Sequence, residues 1–147
     1  MNTVLHYING ELTESLTGQY IDNINPATGA VYGKIASGNH VDVDNAVASA
    51  QKAFPMWSDM HHNDRAKILR RIAQLIEDRL DELALAETND QGKPLWLSKR
   101  MDIPRSSSNF SFFASAIEQF ASESHHSPHF LNYTLRKPLG VVGCISP

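Results

Sequence analysis

The order of elements in this 147-residue chain predicts an α/β fold, and in particular the N-terminal portion of one. Three observations carry the expectation. Two turn signals near the start, Asn9-Gly10 and Pro26-Ala27-Thr28-Gly29, each lie between short strand-like runs. Three later stretches repeat apolar residues at helical spacing. One continuous apolar run, "GVVGCIS" from Gly140 to Ser146, has the composition of a strand covered on both faces of a parallel sheet. Amphipathic helices need a surface to cover, and a parallel strand needs crossover partners. The layers therefore do not balance within these residues, and the expected unit is incomplete.

Each element has a local cause. "VLHYINGELTE" alternates around Asn9-Gly10, the dipeptide that best tolerates the positive φ angles of a two-residue hairpin. "QYIDNINPATGAVYGKIA" places two strand-like runs around a turn. Proline suits its second position, and Gly29 suits its end. In "NHVDVDNAVASAQKAF", Val43, Val47, Ala50 and Phe54 make one apolar helix face. Asn39 is placed to cap that helix, and Asp42 in its first turn suits the macrodipole. "MWSDMHHND" is expected to break the pattern, with Asn63 capping the next helix. There Leu69, Ile72, Ile76, Leu80 and Leu83 form a stripe opposite Arg70, Arg71, Glu77 and Asp78. Gly92 is expected as the left-handed terminus, with Pro94 beyond it. A further helix is expected near "MDIPR", capped by Asp102 with Pro104 in its first turn, burying Phe110, Phe113, Ile117 and Phe120. "SESHHSPH" reads as a loop, and "FLNYTLRKP" as a half-exposed strand ending at Pro138.

Composition narrows the partners. Thirteen Lys and Arg against sixteen Asp and Glu give a net charge of −3, so no basic face for nucleic acid is implied. No apolar run approaches the roughly 20 residues that span a bilayer. "MNTVLHYING" lacks the basic and apolar regions of a secretory signal. With Cys144 as the single cysteine there is no internal disulfide framework, and a reducing cytoplasm is the expected compartment.

Five stretches in one order resemble the aldehyde dehydrogenase superfamily. They are "INGEL", "INPATGAVYGKI", "AVASAQKAFPMW", "RAKILRRIAQLIEDRLDELALAETNDQGKP" and "LRKPLGVVGCISP". The last contains Pro138-x-Gly140-Val141-x-Gly143-x-Ile145-x-Pro147, the most specific of the set. "MDIPRSSSNFSFFAS" looks most like the 2-hydroxymuconic and 2-aminomuconic semialdehyde dehydrogenases. The resemblance implies that residues 1–147 are part of an NAD-binding domain holding the first strand of a Rossmann-type sheet, with residues 127–139 as an oligomerisation arm. It implies oxidation of an aldehyde to the acid with NAD, or NADP, as hydride acceptor, in a homodimer or homotetramer. In that chemistry a thiolate attacks the aldehyde, donors stabilise the oxyanion, and a glutamate activates water for hydrolysis. The family's catalytic cysteine and glutamate have no counterpart in these residues, so no catalytic residue is assigned and the 147 residues alone are expected to be inactive. A non-catalytic product that serves only in assembly, or an independent small-ligand module, are the alternatives.

Candidate site residues follow. Ile145, Ser146 and Pro147 end the apparent strand, where open α/β sheets bind ligands, and the resemblance puts their backbone beside the adenosine half of NAD. Arg105 stands in the expected first turn of the "MDIPR" helix. A helix N-terminus favours anions, and a guanidinium grips a carboxylate with two prongs. Muconic semialdehydes carry a carboxylate opposite the aldehyde, so Arg105 is the candidate substrate residue. Cys144 is expected to be a packed, inert thiol, since no basic residue adjoins it in sequence. His61, His62, His125, His126 and His129 lack companion ligands at metal spacing and read as surface histidines. Glu87 and Asp90 could form a carboxylate pair but read as helix-surface charges.

Overall fold

The computed structural model describes residues 2–145, and the backbone alone for Asn2. Three short strands open the chain: β1 (Asn2–Val4), β2 (His6–Ile8) and β3 (Glu11–Thr13). The hairpin β2–β3 turns on Asn9 at φ 56° and Gly10 at φ 84°, as the dipeptide predicts. Strands β4 (Tyr20–Ile24) and β5 (Val31–Ala36) pair antiparallel. Their turn is closed by the Asn25 carbonyl, which accepts the Gly29 N–H at 2.8 Å, and by the Asn25 side chain, which accepts the Ala27 N–H at 2.9 Å. β1 lies parallel against the other edge of β5, giving the order β1-β5-β4.

Helix α1 (His40–Asp59) begins with the expected cap. The Asn39 side chain accepts the N–H of Val41 at 2.8 Å and of Asp42 at 3.1 Å, while the Asp42 carboxylate accepts the Asn39 N–H at 2.9 Å. The helix then runs through Pro55 and "MWSD" instead of stopping there. Its end is set from outside. Met60 turns extended, and Arg65 Nη1 donates to its carbonyl at 2.7 Å. The apolar face expected to be buried is largely open, with Val43 59% exposed.

Helix α2 (His62–Asp78) is capped by His61, not Asn63, with His61 Nδ1 accepting the Asn63 N–H at 3.3 Å. The long stripe expected as one helix bends at Arg79 and continues as α3 (Leu80–Gln91). Gly92 ends α3 at φ 71°, as expected. A β-carbon there would meet the Ala27 backbone nitrogen at 2.9 Å, so glycine is required for its φ and for close approach of the turn.

Helical backbone resumes directly after Pro94 as α4 (Leu95–Leu97), a π turn (Ser98–Asp102) and α5 (Ile103–Gln119). Asp102 is therefore helical and caps nothing. The Ile103 N–H donates to the Ser98 carbonyl, one residue further back than an α bond. This wider turn accommodates Pro104, which has no N–H and would crowd a regular helix. α2 and α5 pack through small residues, with Ala66 and Ala114 at 0% and Ala73 at 4% exposure. Phe110 and Ile117 are half-buried, but Phe113 and Phe120, expected in the core, are 61% and 64% exposed.

The C-terminal part departs furthest from expectation. "SHHS", read as loop, is strand β6 (Ser124–Ser127), hairpinned through Pro128-His129 to β7 (Phe130–Tyr133). From Thr134 to Ile145 no strand forms, although "GVVGCIS" reads as a buried one. Such a run becomes a strand only through ladder bonds to neighbours, and no described strand lies beside it. Val142 is 71% and Ile145 100% exposed, and Cys144 is exposed rather than packed.

Candidate functional site

The helix α5 is held from two sides. Against α2, the buried Ser107 hydroxyl lies 2.7 Å from Glu77 Oε1 and 3.2 Å from the Ala73 carbonyl, and Arg70 makes a two-pronged pair with Glu118. The Arg70 hydrogen bonds hold the Glu118 carboxyl below its ordinary pKa. Against α3, Lys93 Nζ bridges Glu87 at 2.7 Å and Asp102 at 2.9 Å. Those hydrogen bonds, the one to Glu87 first, raise the Lys93 pKa. Thr88 and Ser98 share a hydroxyl contact of 3.1 Å, and Lys99 pairs with Asp81 at 2.8 Å. The π turn and the start of α5 thus form a braced platform.

Arg105 stands on that platform, exposed, with no hydrogen-bond or ion-pair partner among the described residues. The helix-terminal contribution expected at this position is absent, because helical backbone precedes it from Leu95 onward. What remains is a free guanidinium on rigid backbone, open to a carboxylate. Glu87 and Asp90 do not act as a pair. Glu87 accepts from Lys93, and Asp90 accepts the Tyr32 hydroxyl at 3.1 Å. Burial first, and then the Asp90 hydrogen bond, raise the Tyr32 pKa.

Of the three expected cofactor residues, Ile145 is wholly exposed on the segment after β7, whereas Ser146 and Pro147 lie outside the described residues. Arg105 and Ile145 are on separate elements. His61 serves as a helix cap, and His125 and His126 lie in β6. The Lys93 bridge escapes sequence reasoning, since its partners are six residues before it and nine after. Only the "GKP" turn, which carries the half-buried lysine between α3 and the π turn, is a local signal.

Short strand pairs at the start and the braced α2–α5 helix pair make a mixed helix-and-strand unit, consistent with part of an α/β fold. Residues 12–147 match the aldehyde dehydrogenase family, and the chain belongs to that family. It is 42% identical over 144 residues to the 2-aminomuconic semialdehyde dehydrogenase of Danio rerio, covering 97% of this chain and 29% of that one. It is 39% identical over 148 residues to the 5-carboxymethyl-2-hydroxymuconate semialdehyde dehydrogenase of Escherichia coli, covering 100% of this chain and 31% of that one. Among solved structures, the P. syringae indole-3-acetaldehyde dehydrogenase AldA in complex with NAD+ and IAA is similar with a TM-score of 0.86 at 36% identity, over 91% of this chain and 28% of that one. The chain thus spans less than a third of the length of these relatives.

Proposed function

We propose that these residues form the N-terminal part of an NAD(P)-dependent aldehyde dehydrogenase that oxidises a carboxylate-bearing semialdehyde of the muconic type to the acid. The observation that carries the substrate class is Arg105, an exposed cation on braced backbone with no partner among the described residues. A carboxylate gripped there would fix one end of the substrate and aim the aldehyde at the opposite end. The relatives named for 2-aminomuconic and 5-carboxymethyl-2-hydroxymuconate semialdehydes support the same class.

For the cofactor, the reading is supported by the family match and by the NAD+ complex among the similar structures. Ile145, Ser146 and Pro147 would flank the adenosine half of the dinucleotide, which when bound supplies the hydride acceptor. The contribution of these residues is binding and orientation, with the nucleophile and base outside them. Residues 127–139, containing the exposed strand β7, would pair with another protomer in a cytoplasmic dimer or tetramer.

Steady-state kinetics of an Arg105→Ala variant of the complete gene product tests the reading. The KM for 2-hydroxymuconic semialdehyde is expected to rise by about tenfold or more, with the KM for NAD and the kcat for a neutral aldehyde unchanged. An unchanged KM for the carboxylate-bearing substrate overturns it.

A further inference from the structure

One face of α5 carries more than the arginine. At about 100° per residue, Asn109 lies about 40° around the helix from Arg105 and about 6 Å along it, and Phe112 lies about 20° to the other side. All three are exposed, Phe112 at 64%. The residues that bind the helix to the fold are on its far side: Ser107 at 1% and Ala114 at 0% exposure, about 180–200° away from Arg105. Asn109 makes no side-chain hydrogen bond among the described residues, unlike Ser107, which bonds to α2. Asparagine in a helix interior is locally unfavourable, because its amide competes for the backbone. Among the described residues no side-chain hydrogen bond of Asn109 offsets that cost, and such locally unfavourable positions are where selection for function rather than fold is expected.

We infer that Asn109 is a specificity residue, and that its carboxamide reads the hydrogen-bonding substituent at carbon 2 of the semialdehyde. The inference rests on the proposed carboxylate site at Arg105. Carbon 2 adjoins the carboxylate carbon. A substrate gripped by the guanidinium therefore brings its 2-amino or 2-hydroxyl group beside the side chain one turn along. A carboxamide both donates and accepts, so it can pair with either group. Both relatives named above are dehydrogenases of semialdehydes with an amino or hydroxy group at position 2. Phe112, a further turn along the same stripe, offers an apolar surface for the carbon chain.

The test compares three aldehydes on the complete gene product: 2-hydroxymuconic semialdehyde, adipic semialdehyde (six carbons and a carboxylate, no 2-substituent) and hexanal. Asn109→Ala should lower kcat/KM for the hydroxylated substrate by about tenfold or more and leave adipic semialdehyde within about twofold, because a side chain that hydrogen-bonds a substrate group discriminates by that group. Asn109→Gln should recover part of the loss. Folding is not at stake, since alanine is the better helix former at this exposed position. Equal losses for both carboxylates, or no loss for either, overturn the inference. Arg105→Ala, run in parallel, should lower both carboxylates relative to hexanal. If it does not, the carboxylate site itself fails, independently of the Asn109 ratio.

Discussion

The α2–α5 pair and the segment from Ser124 to Ile145 both carry large apolar side chains, and they use them differently. The helices meet through Ala66, Ala73 and Ala114, which let the backbones approach closely, and half-bury Leu69, Ile72, Phe110 and Ile117 around that seam. Among the described residues the C-terminal segment forms strand ladders only within itself, in β6–β7, touches the helices through Arg136 over the Phe120 ring, and leaves Leu131, Leu135, Leu139, Val142 and Ile145 between 62% and 100% exposed. Within these residues, apolar content alone does not mark which segment is buried. A helix can satisfy its own backbone and needs one complementary face. An extended run needs a neighbour for every residue.

This contrast predicts a graded series in urea unfolding. The largest effect is expected from Ala114→Leu, which forces a branched side chain into the α2–α5 seam and should destabilise by about 2–3 kcal/mol. An effect no larger than that of a surface substitution would show that the seam is loose. Ser107→Ala, which removes the buried hydroxyl bonded to α2, and Asn39→Ala, which removes the α1 cap, should each cost about 1 kcal/mol.

The ionic ties give pH signatures of opposite sign. Asp42 is held below its ordinary pKa, chiefly by the Asn39 N–H. Its contribution is present above the ordinary carboxylate range and is lost as pH falls through the lowered value. Lys93 is held above its ordinary pKa, so its contribution is present below that value and disappears as pH rises past it. Asp42→Asn should flatten the acid limb of the stability profile, and Lys93→Met the alkaline limb. A variant that shifts the whole curve without changing the slope of its limb would count against the tie. The smallest effect is expected at Leu139, 96% exposed, where alanine should change stability by less than about 0.5 kcal/mol. Hydrogen exchange offers a companion measurement: amides of α2 and α5 should outlast those of residues 134–145.

The sequence points to Arg105 as a candidate, and the structure changes the argument for it. The sequence places Arg105 at an expected helix N-terminus, and helical backbone from Leu95 removes that contribution. Its unpaired, exposed guanidinium survives as the argument. On sequence alone Asn109 is one polar residue in "RSSSN", with nothing to distinguish it. Only the burial of Ser107 against α2 shows which side of that run faces outward.

By itself, the sequence determined the features whose causes lie within a few residues. Asn9-Gly10 and Gly29 close their turns, Asn39 caps α1, and Gly92 ends α3, because positive φ and capping bonds are decided by local sterics and nearby N–H groups. The tertiary structure decided the rest. It placed β1 beside β5, used His61 in place of Asn63 as the cap, ran α1 through Pro55, and opened a π turn before Pro104. It also left Val43, Phe113 and Val142 exposed, despite patterns that read as core. Pairing and burial depend on partners distant in the chain, and an apolar pattern states what a segment could cover without stating what lies opposite it.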